Sequence, residues 1–229
     1  MNDSVRIEMK VLGNKHFRKR QKQKVEIKKT LCRYISGNCT CVFKPGNHIA
    51  CIFEKPEFVE KYLGRPVAGA TGAALCCLFE MIRNAHKDED ITNDLCVQKV
   101  TIANSRYSTK PEECFVKMQM ANLKSCDNFL LFGASAWKFY DDVMAVDDKY
   151  FDGKTVIKLV HLAHRGLGWI QCAAGQVTEE MKLMALARFA YKKINKKGVF
   201  DLTDFGTINP GYSIRKPKEE AQDVTSKAK

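Results

Sequence analysis

Lys154, Lys158, His161 and Arg165 follow one another at spacings of four, three and four in the stretch DGKTVIKLVHLAHRG, residues 152 to 166. Read as a helix at about 100° per residue, the stretch places those four on one face and Val156, Leu159, Val160 and Ala163 on the other. Such a segment buries one side and turns cations outward, and its chemistry is neutralisation of a polyanion. Two other basic groups add to this. Arg18, Lys19 and Arg20 lie within the dense run KHFRKRQKQKVEIKKTLCR, and Arg188, Lys192 and Lys193 lie on a helix near the C-terminus. Lys138 sits inside an aromatic cluster, where a base could stack beside a neutralised phosphate.

Other residues carry less specific chemistry. Cys39, Cys41, His48 and Cys51 fall within a short span, but Cys-x-Cys sets both thiols on one face of a strand and does not wrap a metal from a turn, so free thiols are expected and no metal. His161 and His164 have no carboxylate near them in sequence to complete a metal site. Gly133-Ala-Ser135-Ala-Trp137 lacks the second glycine of a nucleophile elbow, and its flanks do not read as a strand entering a helix. Gly69-Ala-Thr-Gly72 lacks the lysine of a phosphate-binding loop. The pairs Asp141-Asp142 and Asp147-Asp148 read as helix ends and turns. The expectation is a protein that is not an enzyme and uses no cofactor.

Composition sets the frame for these residues. The chain has 229 residues, 45% of them apolar, with a formal charge of +12 and ten cysteines. That apolar fraction supports a real core, the charge favours an anionic partner, and the scattered cysteines suit a reducing, intracellular setting. No apolar run reaches the length needed to span a membrane, and no secretory leader is expected at MNDSVRIEMKVLG.

The elements that would position the cations are read as mainly α, with a few short strands near the N-terminus. Short strands are expected between Leu31 and Phe53, where Ser36-Gly37-Asn38 and Pro45-Gly46-Asn47 signal turns. A short helix is expected over 56 to 63, and a longer one over 73 to 86 with Leu75, Leu78, Phe79 and Ile82 inward. A helical or mixed segment is expected over 91 to 105, and a strand over 114 to 120. Residues 128 to 146 belong to the core. A helix over 178 to 197 has Thr178 as its N-cap, Glu179 and Glu180 in its first turn, and lysines at its end. Residues 211 to 229 read as a tail. The division is a basic N-terminal arm (1–30), an N-terminal lobe (31–120), a C-terminal helical lobe (121–205) and a C-terminal arm (206–229).

On these landmarks the chain resembles the nucleocapsid proteins of orthobunyaviruses and their relatives, over residues 70 to 205. The helix from Gly72 to Arg83, the acidic stretch after it, TIANS at Thr101 to Ser105, WKFY at Trp137 to Tyr140 and the basic KTVIKLVHLAHRGL segment follow in a similar order. The resemblance implies a two-lobed, mainly helical protein that encapsidates single-stranded RNA in a basic groove. It also implies homo-oligomers joined through terminal arms, a viral polymerase as a further partner, and a place in the virion and the host cytoplasm. Lys138, Lys158 and Arg165 would be groove residues by position. The chain departs from the family in having Ala74 where a basic residue stands early in the central helix, in its N-terminal third and in its cysteine content. A filamentous plant-virus coat protein and a non-viral basic RNA-binding or ribosome-associated protein are the alternatives.

Overall fold

The computed structural model describes residues 47–54, 60, 66–67, 70–86, 94–106 and 113–215. Five strands form a parallel sheet: β1 (Ile49–Phe53), β2 (Thr101–Asn104), β3 (Asn128–Phe132), β4 (Thr155–Leu159) and β6 (Gly198–Phe200), in the order β2-β1-β3-β4-β6. A second, antiparallel pair is made by β5 (Ile170–Cys172) and β7 (Tyr212–Ile214). The mainly α, two-lobed architecture expected from the sequence is therefore incorrect. The chain is an α/β protein with helices on both faces of a parallel sheet, in one of the two common doubly wound strand orders.

The largest error lies in the stretch 152 to 166. It contains strand β4, followed by the short helix α4 (His164–Leu167). A spacing of four satisfies a period of two as well as it satisfies 3.6, so Lys154, Val156 and Lys158 share one face of a strand. Thr155, Val156 and Ile157 are β-branched and fit the pleated, two-sided burial of a central parallel strand. Residues 114 to 120, expected as a strand, lie instead in helix α2 (Glu113–Asn122). Residues 128 to 146 divide into β3 and helix α3 (Ala134–Val146).

Two helices match their sequence signals. Helix α1 (Ala70–Ala85) buries Leu75, Leu78, Phe79 and Ile82. Helix α5 (Glu179–Lys193) starts at Thr178, whose hydroxyl accepts from the Met181 N–H, and has acids in its first turn and lysines in its last. Helix α6 (Phe205–Ile208) and β7 lie within the stretch expected as a C-terminal arm. Residues 1–46 and 216–229 lie outside the described residues, as do Cys39, Cys41 and most of the helix expected over 56 to 63.

The sheet separates two cores. Ile49, Cys51, Phe53, Leu130, Phe132, Ile157 and Leu159 face α1 and α5. Ala50, Ile52, Phe129, Leu131 and Val156 face α2 and α3. The connections β1 to β2, β2 to β3 and β3 to β4 share one hand. The β4 to β6 connection moves in the same direction across the sheet as β3 to β4, yet it passes over the α1 face, and so has the opposite hand. That departs from the usual rule for parallel crossovers. The detour carries the chain through α4 and β5 at the C-terminal end of the sheet before α5 begins.

Candidate functional site

In doubly wound sheets ligands bind beyond the carboxyl ends of the strands, where neighbouring connections leave in opposite directions. Here that point lies between β1 and β3. Four chain segments converge on it: the exits of β1, β2, β3 and β4.

At the β3 exit the chain turns sharply at Gly133, with φ 89° and ψ 165°, a combination essentially restricted to glycine. The Gly133 N–H donates to the Leu159 carbonyl at 2.8 Å, which ties the turn to β4. Ser135 is then the second residue of α3, so a strand does enter a helix here, contrary to the sequence reading. The residue at the turn is glycine, and Ser135 has a structural partner. Its hydroxyl oxygen accepts from the Arg106 guanidinium at 2.8 Å, and the same guanidinium pairs with the Glu54 carboxylate. Ser105 donates from its hydroxyl to the Glu54 carbonyl at 2.9 Å. Glu54, Ser105, Arg106 and Ser135 thus bind together the ends of three strands.

At the β4 exit, Val160 and Leu162 are buried while His161 turns back against the sheet. The His161 ring meets Phe53 edge-on at 6.4 Å, and its Nδ1 accepts from the Ala163 N–H at 3.1 Å. Gly166 allows this fold-back, since a methyl group there would sit 2.1 Å from the His161 carbonyl oxygen. A methyl group on Gly133 would lie 3.1 Å from the His161 Cβ, so His161 is packed between two glycines. His164 and Arg165 are exposed on α4, and His164 pairs with Glu179 at the start of α5.

Beside this turn lies a cavity of about 530 Å³ between α3, β4, the β5–β7 pair and the segment after β6. Trp137 and Trp169 stand edge to face on its wall with ring centroids 6.2 Å apart. The Trp137 indole N–H donates to the carbonyls of Leu131 at 3.1 Å and Leu159 at 2.8 Å.

The expected cations do not assemble into one groove among the described residues. Lys138 is exposed on α3, while Arg188 and Lys192 are exposed on α5, across the sheet. Lys193 is largely covered and bonds Asp204 at 2.7 Å. Lys154 lies over the rings of Tyr150 at 4.2 Å and Phe129 at 5.3 Å, and burial holds its ammonium below the ordinary lysine value. Lys158 lies 4.8 Å from the Tyr140 ring. Both lysines therefore lie against aromatic rings on the α2–α3 face, where their stems are covered. Arg18, Lys19 and Arg20 fall outside the described residues.

Of the proposed metal ligands, His48 is exposed and bonds Asp127 at 2.9 Å, and Cys51 is fully buried in the centre of the sheet. Burial pushes the Cys51 thiol well above the usual range, so it stays protonated. No described helix is long and apolar enough to cross a membrane.

Glu54, Arg106, Trp169 and Gly166 are not among the site residues expected from the sequence. The available signal was Ala163-His164-Arg165-Gly166 directly after a β-branched run: a turn containing glycine at the end of a buried strand. Reading the run as part of a helix concealed it. Compared with known proteins, the chain matches no family model and no curated protein.

Proposed function

We propose that this chain is a non-catalytic binding domain of the caspase type, which holds an extended peptide across the C-terminal ends of β1, β3 and β4 without cutting it. The observation that carries this reading is the place of His164. Caspases surround their nucleophilic cysteine with Gln-Ala-Cys-Arg-Gly or a close variant, and the catalytic histidine lies about 50 residues upstream. Here the turn leaving β4 reads Leu162-Ala163-His164-Arg165-Gly166. Ala163, Arg165 and Gly166 match in place, and a histidine stands where the thiol would be.

The chemistry follows from that substitution. Acyl transfer needs a thiolate with a base beside it. No histidine occurs between His86 and His161 to act as that base, and His164 is engaged with Glu179. What remains among the described residues is a turn with polar groups at its edge and no cysteine–histidine pair. In the test, the full chain is incubated with a library of extended peptides while cleavage and amide-exchange protection are followed. The reading expects bound peptides that protect residues 133–136 and 161–168 and yield no cleavage product. Cleavage, or protection confined to another surface, overturns it.

Binding of single-stranded RNA is the second reading, and the distribution of charge favours it. Residues 1–46 hold twelve Lys and Arg against three Asp and Glu, while the rest of the chain holds twenty-six against twenty-three. The excess charge therefore belongs to the N-terminal segment, with the α/β domain close to neutral. Encapsidation, homo-oligomers and a polymerase partner belong to this reading. Its test is the salt dependence of RNA affinity. Replacing Arg18, Lys19 and Arg20 by Gln should lower the slope of log K against log salt by roughly 2. Replacing Lys158 and Arg165 should change it little. A slope unmoved by the N-terminal substitutions sinks the reading.

A further inference from the structure

We infer that the cavity between Trp137 and Trp169 is a binding site for a small amphipathic carboxylate: a compact apolar body with one anionic end. This site is separate from the peptide crevice and does not depend on that reading. The body is specified by the walls, where Trp137, Trp169, Leu202, Tyr212 and Ile214 line about 530 Å³, a volume suited to a single small ligand. The anionic end is specified by Lys158, which lies in the same lining on the partly covered strand β4. Among the described residues Lys158 has no carboxylate within ion-pair reach, and its ammonium rests over the Tyr140 ring. The carboxylate of the lining, Asp201, already accepts from the Thr203 N–H at 2.9 Å and the Thr203 hydroxyl at 2.6 Å. A half-covered cation without a counter-ion, beside a carboxylate turned to its own turn, selects for an incoming anion.

The walls are also fixed before a ligand arrives. Trp137 is held by two backbone carbonyls, and the Trp169 carbonyl accepts from the Arg215 N–H at 2.8 Å, which pins the β5–β7 pair beneath the indole. Such preorganisation reduces the ordering cost of binding.

The chain's two tryptophans both line this cavity, so tryptophan emission reports on it. The full-length protein is titrated with phenylbutyrate and, separately, with phenylbutyramide, which keeps the body and removes the charge. The acid should change tryptophan emission saturably and bind roughly tenfold more tightly than the amide. Lys158→Met should abolish that preference, and Lys158→Arg should retain it. The absence of a saturable change, equal affinity for acid and amide, or an undiminished preference in Lys158→Met would each overturn the assignment. If Lys158→Met does not fold, the comparison of acid and amide on the native chain decides by itself.

Discussion

At the carboxyl end of the sheet the chain turns on Gly133 and Gly166 around His161 beside a charged tie between Arg106 and Glu54, whereas at the amino end the main stitches are side-chain amides and a hydroxyl. There Asn128 donates from its side-chain amide to the Asn195 side chain at 3.0 Å and accepts the Asn195 N–H at 2.9 Å. Thr155 donates from its hydroxyl to the Lys196 carbonyl at 2.8 Å. His48 meets Asp127 in the open. One end combines glycines that could not be larger with the tie among Glu54, Arg106 and Ser135, the other relies on neutral polar side chains. The first arrangement has the cavity beside it; the second joins the amino ends of neighbouring segments. The polarity of doubly wound sheets makes the first end the candidate for binding.

The contrast is broken most directly at Gly166. Gly166→Ala forces a methyl group against the His161 carbonyl and should destabilise the fold by about 3 kcal/mol or more, read from the denaturant midpoint. Gly133→Ala should cost about 1–3 kcal/mol, because its backbone angles exclude a side chain and not because of a severe overlap. If both changes are neutral, the turn at His161 is not built as described. At the other end Asn128→Ala removes two bonds in a mostly buried place and strands the Asn195 N–H, at about 1–3 kcal/mol. An undisturbed melting temperature in that variant would show that the stitching is dispensable.

Helices α1 and α5 were legible in the sequence, and the turns at the carboxyl end of the sheet were not. Helix α5 was legible because Thr178, Glu179, Glu180 and the terminal lysines are local signals that act within one turn. Helix α1 was legible because Leu75, Leu78, Phe79 and Ile82 make one apolar face over about two turns. Strand β4 was not, since a central parallel strand has no alternation to display, and Lys154 before it and Lys158 within it fit either period. The cations were legible as charges but not as neighbours. Lys158 faces Tyr140 and Arg188 lies across the sheet, and only the strand order decides that. Gly133 and Gly166 carry meaning through His161, a contact between segments that no local pattern encodes.

Two buried thiols, Cys51 within β1 and Cys126 just before β3, sharpen the comparison through pH. Burial keeps the Cys51 thiol protonated in the fold and pushes Cys126 up to about 11, against an ordinary value of 9.0. Above pH 9.0 the unfolded chain releases protons that the folded chain retains, so stability falls as pH rises. Each thiol contributes about 1.4 kcal/mol per pH unit to that slope, for Cys126 only until about pH 11. Unfolding free energies measured across this window should show the decline, and Cys126→Ala should flatten it by one thiol's share. An unchanged slope would mean that Cys126 is not covered in solution.

The smallest effect should come from the exposed pair at the amino end. His48 and Asp127 have side chains 67% and 63% exposed, so solvent screens their attraction, and the pair is worth at most about 1 kcal/mol. The backbone there is already satisfied, because the N–H groups of Asp127 and Asn128 both donate to the His48 carbonyl, at 3.0 and 2.9 Å. Asp127→Asn should therefore shift stability by less than Asn128→Ala does, and added salt should erase the difference from the native chain. A loss as large as that of Asn128→Ala would mean that charge, and not the buried amides, fastens this end of the sheet.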